Sequence, residues 1–297
     1  MEMTREEWLE KRKEFLTASD CAAVLGANPW HGPLGVYASK VLDDRTPDNS
    51  AMRWGRRLEN VIGEAYEEET GRPVHNPGDT VLTVHPDIPW LAATLDRTTE
   101  STSDTPGPAD GPGVLELKSV GGRYTTPSEW SEEPPLHYQV QVQIQAECRN
   151  TKWGSLAGLF PGYKLAWTDL LRDRDFFTAA YPVLDNFWHN NVLAKNPPED
   201  KGSLDVIKRV WPRETGKTIT LDHAALALAE KWNKLKGDKK NLDGKIKEIE
   251  GELRLILKDA AIGILPDGTK LTLKTTSVKG YTKTVEPYKF RTLRRAK

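Results

Sequence analysis

A short apolar run, Val114 to Val120, lies between Gly113 and Gly121-Gly122 and is interrupted by two charges, Glu116 and Lys118. Its length and its glycine boundaries predict a strand. Side chains alternate on a strand, so Glu116 and Lys118 share one face. A second carboxylate, Asp96, ends the preceding apolar segment, Leu91 to Leu95. Two carboxylates and an ammonium on adjoining strands can hold a divalent metal and manage a water proton, the minimum for metal-assisted phosphodiester hydrolysis. The other reading of Glu-x-Lys is an exposed ion pair at a strand edge.

The surrounding pattern predicts a mixed α/β (α+β) domain. Helices are expected over 5–15, 21–25, near 33–41, and over 51–70, closed by Gly71. Thr17-Ala18-Ser19-Asp20 supplies N-cap chemistry for the second of these. Strands are expected at Val74–His75, Val81–Val84, Leu91–Leu95, Val114–Val120 and Trp153–Phe160. A loop is expected over 100–113, and further helices over 137–148 and 169–192. Residues 1–195 form the expected catalytic domain, 196–220 a linker containing Asn196-Pro197-Pro198, and 221–297 a carboxy-terminal extension.

The extension has another texture. Leu228, Trp232, Leu235, Leu242, Ile246, Ile249, Leu253, Ile256 and Ala260 follow mostly alternating four- and three-residue spacings, a heptad-like seam on a long helix or helical hairpin. Gly237, Gly244 and Gly251 recur every seven residues off that seam, marking either a break or the approach of another backbone. Pro266-Asp267-Gly268 predicts a small hairpin.

Three further features strengthen the catalytic reading of Glu116 and Lys118. Glu59, on a helix, is a third carboxylate able to bind metal directly or through water; its plain reading is a solvated helix residue. Arg12 and Ser19 flank the turn into the second helix, where a guanidinium, a hydroxyl and a helix N-terminus suit a phosphate; Ser19 also reads as a simple cap. Gln139, Gln141, Gln143 and Gln145 alternate with Val140, Val142 and Ile144. Alternation suits a strand, continuation into Ala146-Glu147 suits a helix, and amides beside a metal site can orient water or hold phosphate.

Taken together, Ser19-Asp20-Cys21-Ala22-Ala23-Val24-Leu25-Gly26, Trp54-Gly55-x-x-Leu58-Glu59, Asp96, Glu116-Leu117-Lys118 and Tyr138-Gln139-Val140-Gln141 resemble the YqaJ-like viral recombinase family, which includes phage lambda exonuclease, within the PD-(D/E)XK nuclease superfamily. The resemblance implies a restriction-endonuclease-like core: a mixed central sheet flanked by helices. It implies that Asp96, Glu116 and the main-chain carbonyl of Leu117 bind Mg²⁺ or Mn²⁺, with Glu59 completing the site or holding a second ion. Lys118 would position or deprotonate the attacking water, or stabilise the transition state. Arg12 and Ser19 would grip a terminal 5′-phosphate. Gln141, or Gln139 in the alternative register, would sit near the scissile phosphate; Thr94 would lie near phosphate and Arg123 near a DNA strand. Leu95 stands where the family's proline precedes the aspartate, and the loop between Asp96 and Glu116 is long.

The implied activity is 5′→3′ exonuclease digestion of linear double-stranded DNA, leaving 3′ single-stranded tails for phage-type recombination. The implied partner is a single-strand annealing protein, and a trimeric ring is known in the family. The alternatives are an endonuclease or single-strand nuclease of the same superfamily, or a non-catalytic DNA-binding protein with a relic site. A net charge of −1 requires any DNA-binding surface to be focused. Two cysteines and the lack of a long apolar run suit a reducing cytoplasm, here of a bacterial host carrying a phage or prophage, and no membrane span.

Overall fold

The computed structural model describes residues 3–42, 48–121, 125–199, 204–277, 279–280, 291 and 293. The chain divides into two compact units, 1–212 and 213–297.

In the first unit, α1 (Arg5–Lys11) leads through a 3-10 turn into β1 (Leu16–Thr17), α2 (Ala18–Val24), α3 (Pro33–Val41) and α4 (Ser50–Thr70). There follow β2 (Val74–His75), β3 (Thr83–Val84), β4 (Leu91–Ala93), β5 (Arg97–Ser101) and β6 (Gly111–Ser119). Next come α5 (Pro127–Glu132), α6 (Leu136–Arg149), β7 (Trp153–Phe160), β8 (Lys164–Leu171), α7 (Arg174–Asn186), a π-helical stretch (Phe187–Leu193) and α8 (Leu204–Val210). Five strands form one sheet in the order β2-β5-β6-β7-β8, in which β6 and β7 are parallel and the other neighbours antiparallel. A second sheet, β1-β4-β3, carries β4, the strand just before Asp96.

Strand alternation on β6 sorts the core. Leu115 and Leu117 face Ile62 and Tyr66 of α4, whereas Val114 joins Val140, Val142 and Ile144 of α6. The even-numbered face, which carries Glu116 and Lys118, is thus the α6 face. Gly154 on β7 sets the helix–sheet distance: a Cβ there would stand 2.5 Å from Val114 Cγ2 and 2.6 Å from Val142 Cγ1. The missing side chain lets α6 settle onto the sheet and brings its polar stripe to Glu116. Gly71 ends α4 in the left-handed region (φ 69°), which glycine adopts without steric cost.

Several local expectations change. The stretch taken as a loop from residue 100 begins inside β5, a polar strand whose pairing with β6 supplies its order. The expected helix over 169–192 starts later, because Asp169 lies on β8 and pairs with Arg72 at 2.9 Å. Residues 196–220 are not linker throughout: α8 falls within them, buries Val206 and packs on α3, and the first unit extends to Pro212.

The second unit contains α9 (His223–Leu257) and the hairpin β9 (Ile262–Ile264) and β10 (Lys270–Thr272). Asp222 caps α9 by accepting from the Ala225 amide at 2.8 Å. The helix runs unbroken through Gly237, Gly244 and Gly251, and a Cβ at any of the three would meet no atom within 4 Å. They mark no break, and among the described residues no backbone comes close to them.

Candidate active site

The site is a cavity of about 510 Å³ in the first unit. On one side stand Glu59, Asp96, Glu116, Lys118 and Gln141, and on another Arg12 and Ser19; Thr94, two residues before Asp96, also lines it. So do Arg56, one of a basic group with Arg53 and Arg57, and Arg5, Trp8 and Asp79, which carry no signal in the sequence that would have singled them out.

Glu116 is fully buried. Its Oε1 accepts from Lys118 Nζ and, at 2.5 Å, from Gln141 Nε2, while Gln145 Nε2 donates to its Oε2 at 2.5 Å. Gln141 and Gln145 are one helical turn apart and clamp the carboxylate from α6. Gln145 also donates to the Thr94 carbonyl at 3.3 Å, tying β4 to the same clamp. Its role was readable from the spacing, once the segment is taken as a helix. The other pair is turned away. Gln139 donates to the Pro134 carbonyl at 2.6 Å, which corrects its expected place beside substrate. Gln143 bridges the Leu171 carbonyl and the Asp173 amide, both at 2.8 Å.

Asp96 lies in the bend between β4 and β5. Its Oδ2 accepts the Leu117 amide at 2.9 Å and stands 3.9 Å from Lys118 Nζ. Arg97, buried beside it, donates to the Asp96 carbonyl and to Asn60 on α4, locking the bend to the helix that carries Glu59.

Burial and the Asp96 charge push the Glu116 carboxyl up to about 7, against the pull of Lys118. Burial, Asp96 and Asp79 push Glu59 up to about 7 as well. Burial works against the Lys118 ammonium, but Glu116 and Asp96 outweigh it and hold the group above its ordinary value. Lys118 is thus a charged donor here, and its ammonium also lies 5.3 Å from the Tyr138 ring centroid.

The donor set fits a hard divalent cation. Asp96, in its bend, and Glu116, on β6, offer carboxylate oxygens in a corner where burial and mutual repulsion raise the Glu116 and Glu59 carboxyls despite the pull of Lys118 and, on Glu59, of Arg97. Among the described residues no three His, Cys, Asp or Glu side chains close into a ligand cage. Two carboxylates suffice for Mg²⁺, which keeps waters and takes its remaining oxygens from substrate phosphates. Glu59 shares the cavity without joining Asp96 and Glu116 in such a cage.

The other wall is cationic. Arg12 Nη2 donates to Thr17 Oγ1 at 3.2 Å and Ser19 Oγ at 3.3 Å, with its guanidinium 4.6 Å from the Trp8 ring centroid. Beneath it Lys40 pairs with Asp20 at 2.6 Å and donates to the Arg12 carbonyl at 3.0 Å. Asp20 in turn accepts the Thr17 amide at 2.9 Å, fixing the start of α2. Thr94 Oγ1 and Trp8 Nε1 are buried and, among the described residues, without a hydrogen-bond partner. Arg123 lies outside the described residues.

A mixed sheet with helices on both faces, bearing an acid on one strand end and Glu-x-Lys on the next, is a restriction-endonuclease-like core. Residues 7–152 match the family model of the YqaJ-like viral recombinase domain. The protein YqaJ of Bacillus subtilis (strain 168) is 26% identical over 276 residues, covering 89% of this chain and 82% of that protein. That coverage reaches beyond the first unit. Among solved structures, the alkaline exonuclease LHK-Exo from Laribacter hongkongensis shares the fold with a TM-score of 0.51 at 23% identity, over 64% of this chain and 94% of that one. LHK-Exo in complex with dAMP gives 0.51 at 22%, over 69% and 96%.

Proposed function

We propose that the protein is a divalent-metal-dependent exonuclease that digests linear double-stranded DNA from 5′ ends and leaves 3′ single-stranded tails. The observation that carries this is the shared cavity: the carboxylate–lysine wall and the Arg12–Ser19 wall open onto one space. A nuclease needs only the first wall. An enzyme that works from an end gains from the second, which suits the extra charge of a terminal phosphate.

Asp96, Glu116 and the Leu117 carbonyl would hold the metal, with Glu59 at the cavity edge as an outer carboxylate. When bound, the metal supplies Lewis acidity and a nucleophilic water. The chain's own residues do the rest. Gln141 and Gln145 fix the Glu116 carboxylate so that its direction does not depend on the substrate. Lys118 offers a charged donor to the scissile phosphate, where negative charge grows in the transition state. Thr94 lines the same space, its hydroxyl buried beside it. Arg12, held by Thr17, Ser19 and the Trp8 face, takes the terminal phosphate. LHK-Exo, of the same fold, has been crystallised with dAMP, the kind of product that stepwise digestion releases.

Mg²⁺-dependent digestion of linear duplex labelled at either end, beside a closed circle, tests the reading. Release is expected first from the 5′ label, with the circle intact and with Asp96→Ala and Lys118→Ala inactive. Variants that digest as fast as the parent would remove the site assignment. Release from the 3′ label, or cutting of the circle, would remove the mode.

A further inference from the structure

We infer that α9 pairs in antiparallel fashion with α9 of a second copy of this chain, in a single two-fold register. This rests on the second unit alone and not on the nuclease reading.

The helix is 35 residues long and buries none of them. Its seam is a complete heptad pattern. Leu228, Leu235, Leu242, Ile249 and Ile256 occupy successive d positions, and each is more than half exposed. Ala225, Trp232, Lys239, Ile246 and Leu253 occupy the a positions. Gly237, Gly244 and Gly251 all fall at f, the position farthest from a partner. Five layers of a and d with glycine confined to f describe a helix built to be covered along one stripe.

The flanking charges choose the direction. In a parallel homodimer each g residue faces the e residue five positions later in the second copy. Lys231 would meet Lys236 and Asp238 would meet Asp243, leaving only Lys245 with Glu250 as an attraction. In the antiparallel arrangement g faces g and e faces e. With Lys239 opposite Leu242 of the second copy, Lys231 meets Glu252, Asp238 meets Lys245, and Lys236 meets Asp243. Each pair is attractive and occurs twice by symmetry. Glu250 then faces Ala229, and its carboxylate is already held by Arg254 of its own helix at 2.7 Å.

The same register sets Trp232 against Ile249, Ile246 against Leu235, Leu253 against Leu228, and Ala225 against Ile256. Its centre lies between residues 240 and 241, at the middle of His223–Leu257, so the two helices overlap along their whole length. The two Lys239–Leu242 layers sit side by side at that centre. A polar residue at one a position is a known device for fixing register.

Charge reversal in the full chain reads the direction directly. Lys236→Glu sets a carboxylate against that of Asp243 in the antiparallel pair but removes a repulsion in the parallel one. Sedimentation equilibrium is expected to show association weakened about five- to ten-fold by Lys236→Glu and by Asp243→Lys, and restored in the double variant. Tighter association of either single variant would overturn the antiparallel register. A chain that stays monomeric at tens of micromolar would overturn the pairing. So would association undiminished by Leu235→Asp, which alters the seam of a helix with no buried residue. Oxidative crosslinking supplies a readout of geometry. Lys236→Cys mixed with Asp243→Cys is expected to give covalent heterodimer. Efficient homodimer from Leu242→Cys alone, a d position facing itself only in parallel pairs, would count against it.

Discussion

The two units treat charge and apolar surface in opposite ways. The first buries charge: Glu116, Glu147, Arg72 and Arg97 all lie inside it, each with partners drawn from other elements. The second exposes hydrocarbon: nine Leu and Ile side chains of α9 face outward on a helix with no buried residue. Both arrangements are costly in isolation. The first is settled within the chain, and the Glu116–Lys118–Gln clamp is the result. The second asks for a surface that the described residues of the second unit do not supply. On the readings proposed above, the Glu116 cluster would meet substrate and the exposed seam of α9 a second copy of the chain.

That division can be broken experimentally, beginning with the largest effect. Asp96→Ala is expected to lower digestion of linear duplex by about 1,000-fold or more, the scale of losing a preorganised electrostatic group, while sedimentation of the variant matches the parent. A change in association on emptying the first unit's site would join the two regions.

Asp20→Asn is expected next, at about 3 kcal/mol near pH 7, because Lys40 is left buried without its counter-charge. Burial raises the Asp20 carboxyl, but Lys40 and Arg12 outweigh that and hold it below the usual carboxylate value. A lowered folded-state pKa contributes stability that is present at neutral pH and lost as pH falls through that pKa. The gap between variant and parent in urea melts should therefore narrow below about pH 4. A gap that stays constant down to about pH 2.5 would show that packing, not charge, carries the effect.

Gln145→Leu is smaller. It removes one donor from Glu116 and is expected to cost about 1–3 kcal/mol, whereas Gln139→Leu, tied only to a loop carbonyl, should cost under about 1 kcal/mol. Equal losses in chemical denaturation would remove the distinction between the two glutamine pairs.

The sequence exposed the reacting groups better than their supports. Glu116 and Lys118 were legible because a strand has one period, and two residues on one face of an apolar run can be named without a fold. The glutamines were not, because period two and period 3.6 agree over four residues; only the packing of α6 on the sheet, at Gly154 of β7, makes 141 and 145 the inward pair. β5 was hidden by its polarity, since Arg97-Thr98-Thr99-Glu100 draws its order from pairing with β6. Arg5, Trp8 and Asp79 reach the cavity through tertiary placement that no local pattern encodes. The heptad seam was plain in the sequence, and the unbroken helix removed the reading of its glycines as a break.

Those glycines carry a consequence for how the chain behaves in a cell. Three of them together withdraw about 3 kcal/mol of helix propensity relative to alanine. They do so at positions where nothing is gained in packing. A rod weakened on its outer edge and sticky on its inner one is ordered by company. Helical content in the second unit should rise with protein concentration, and replacing all three glycines with alanine should flatten that rise in circular dichroism. The helix would then report how many copies of the chain are present, with its order set by abundance.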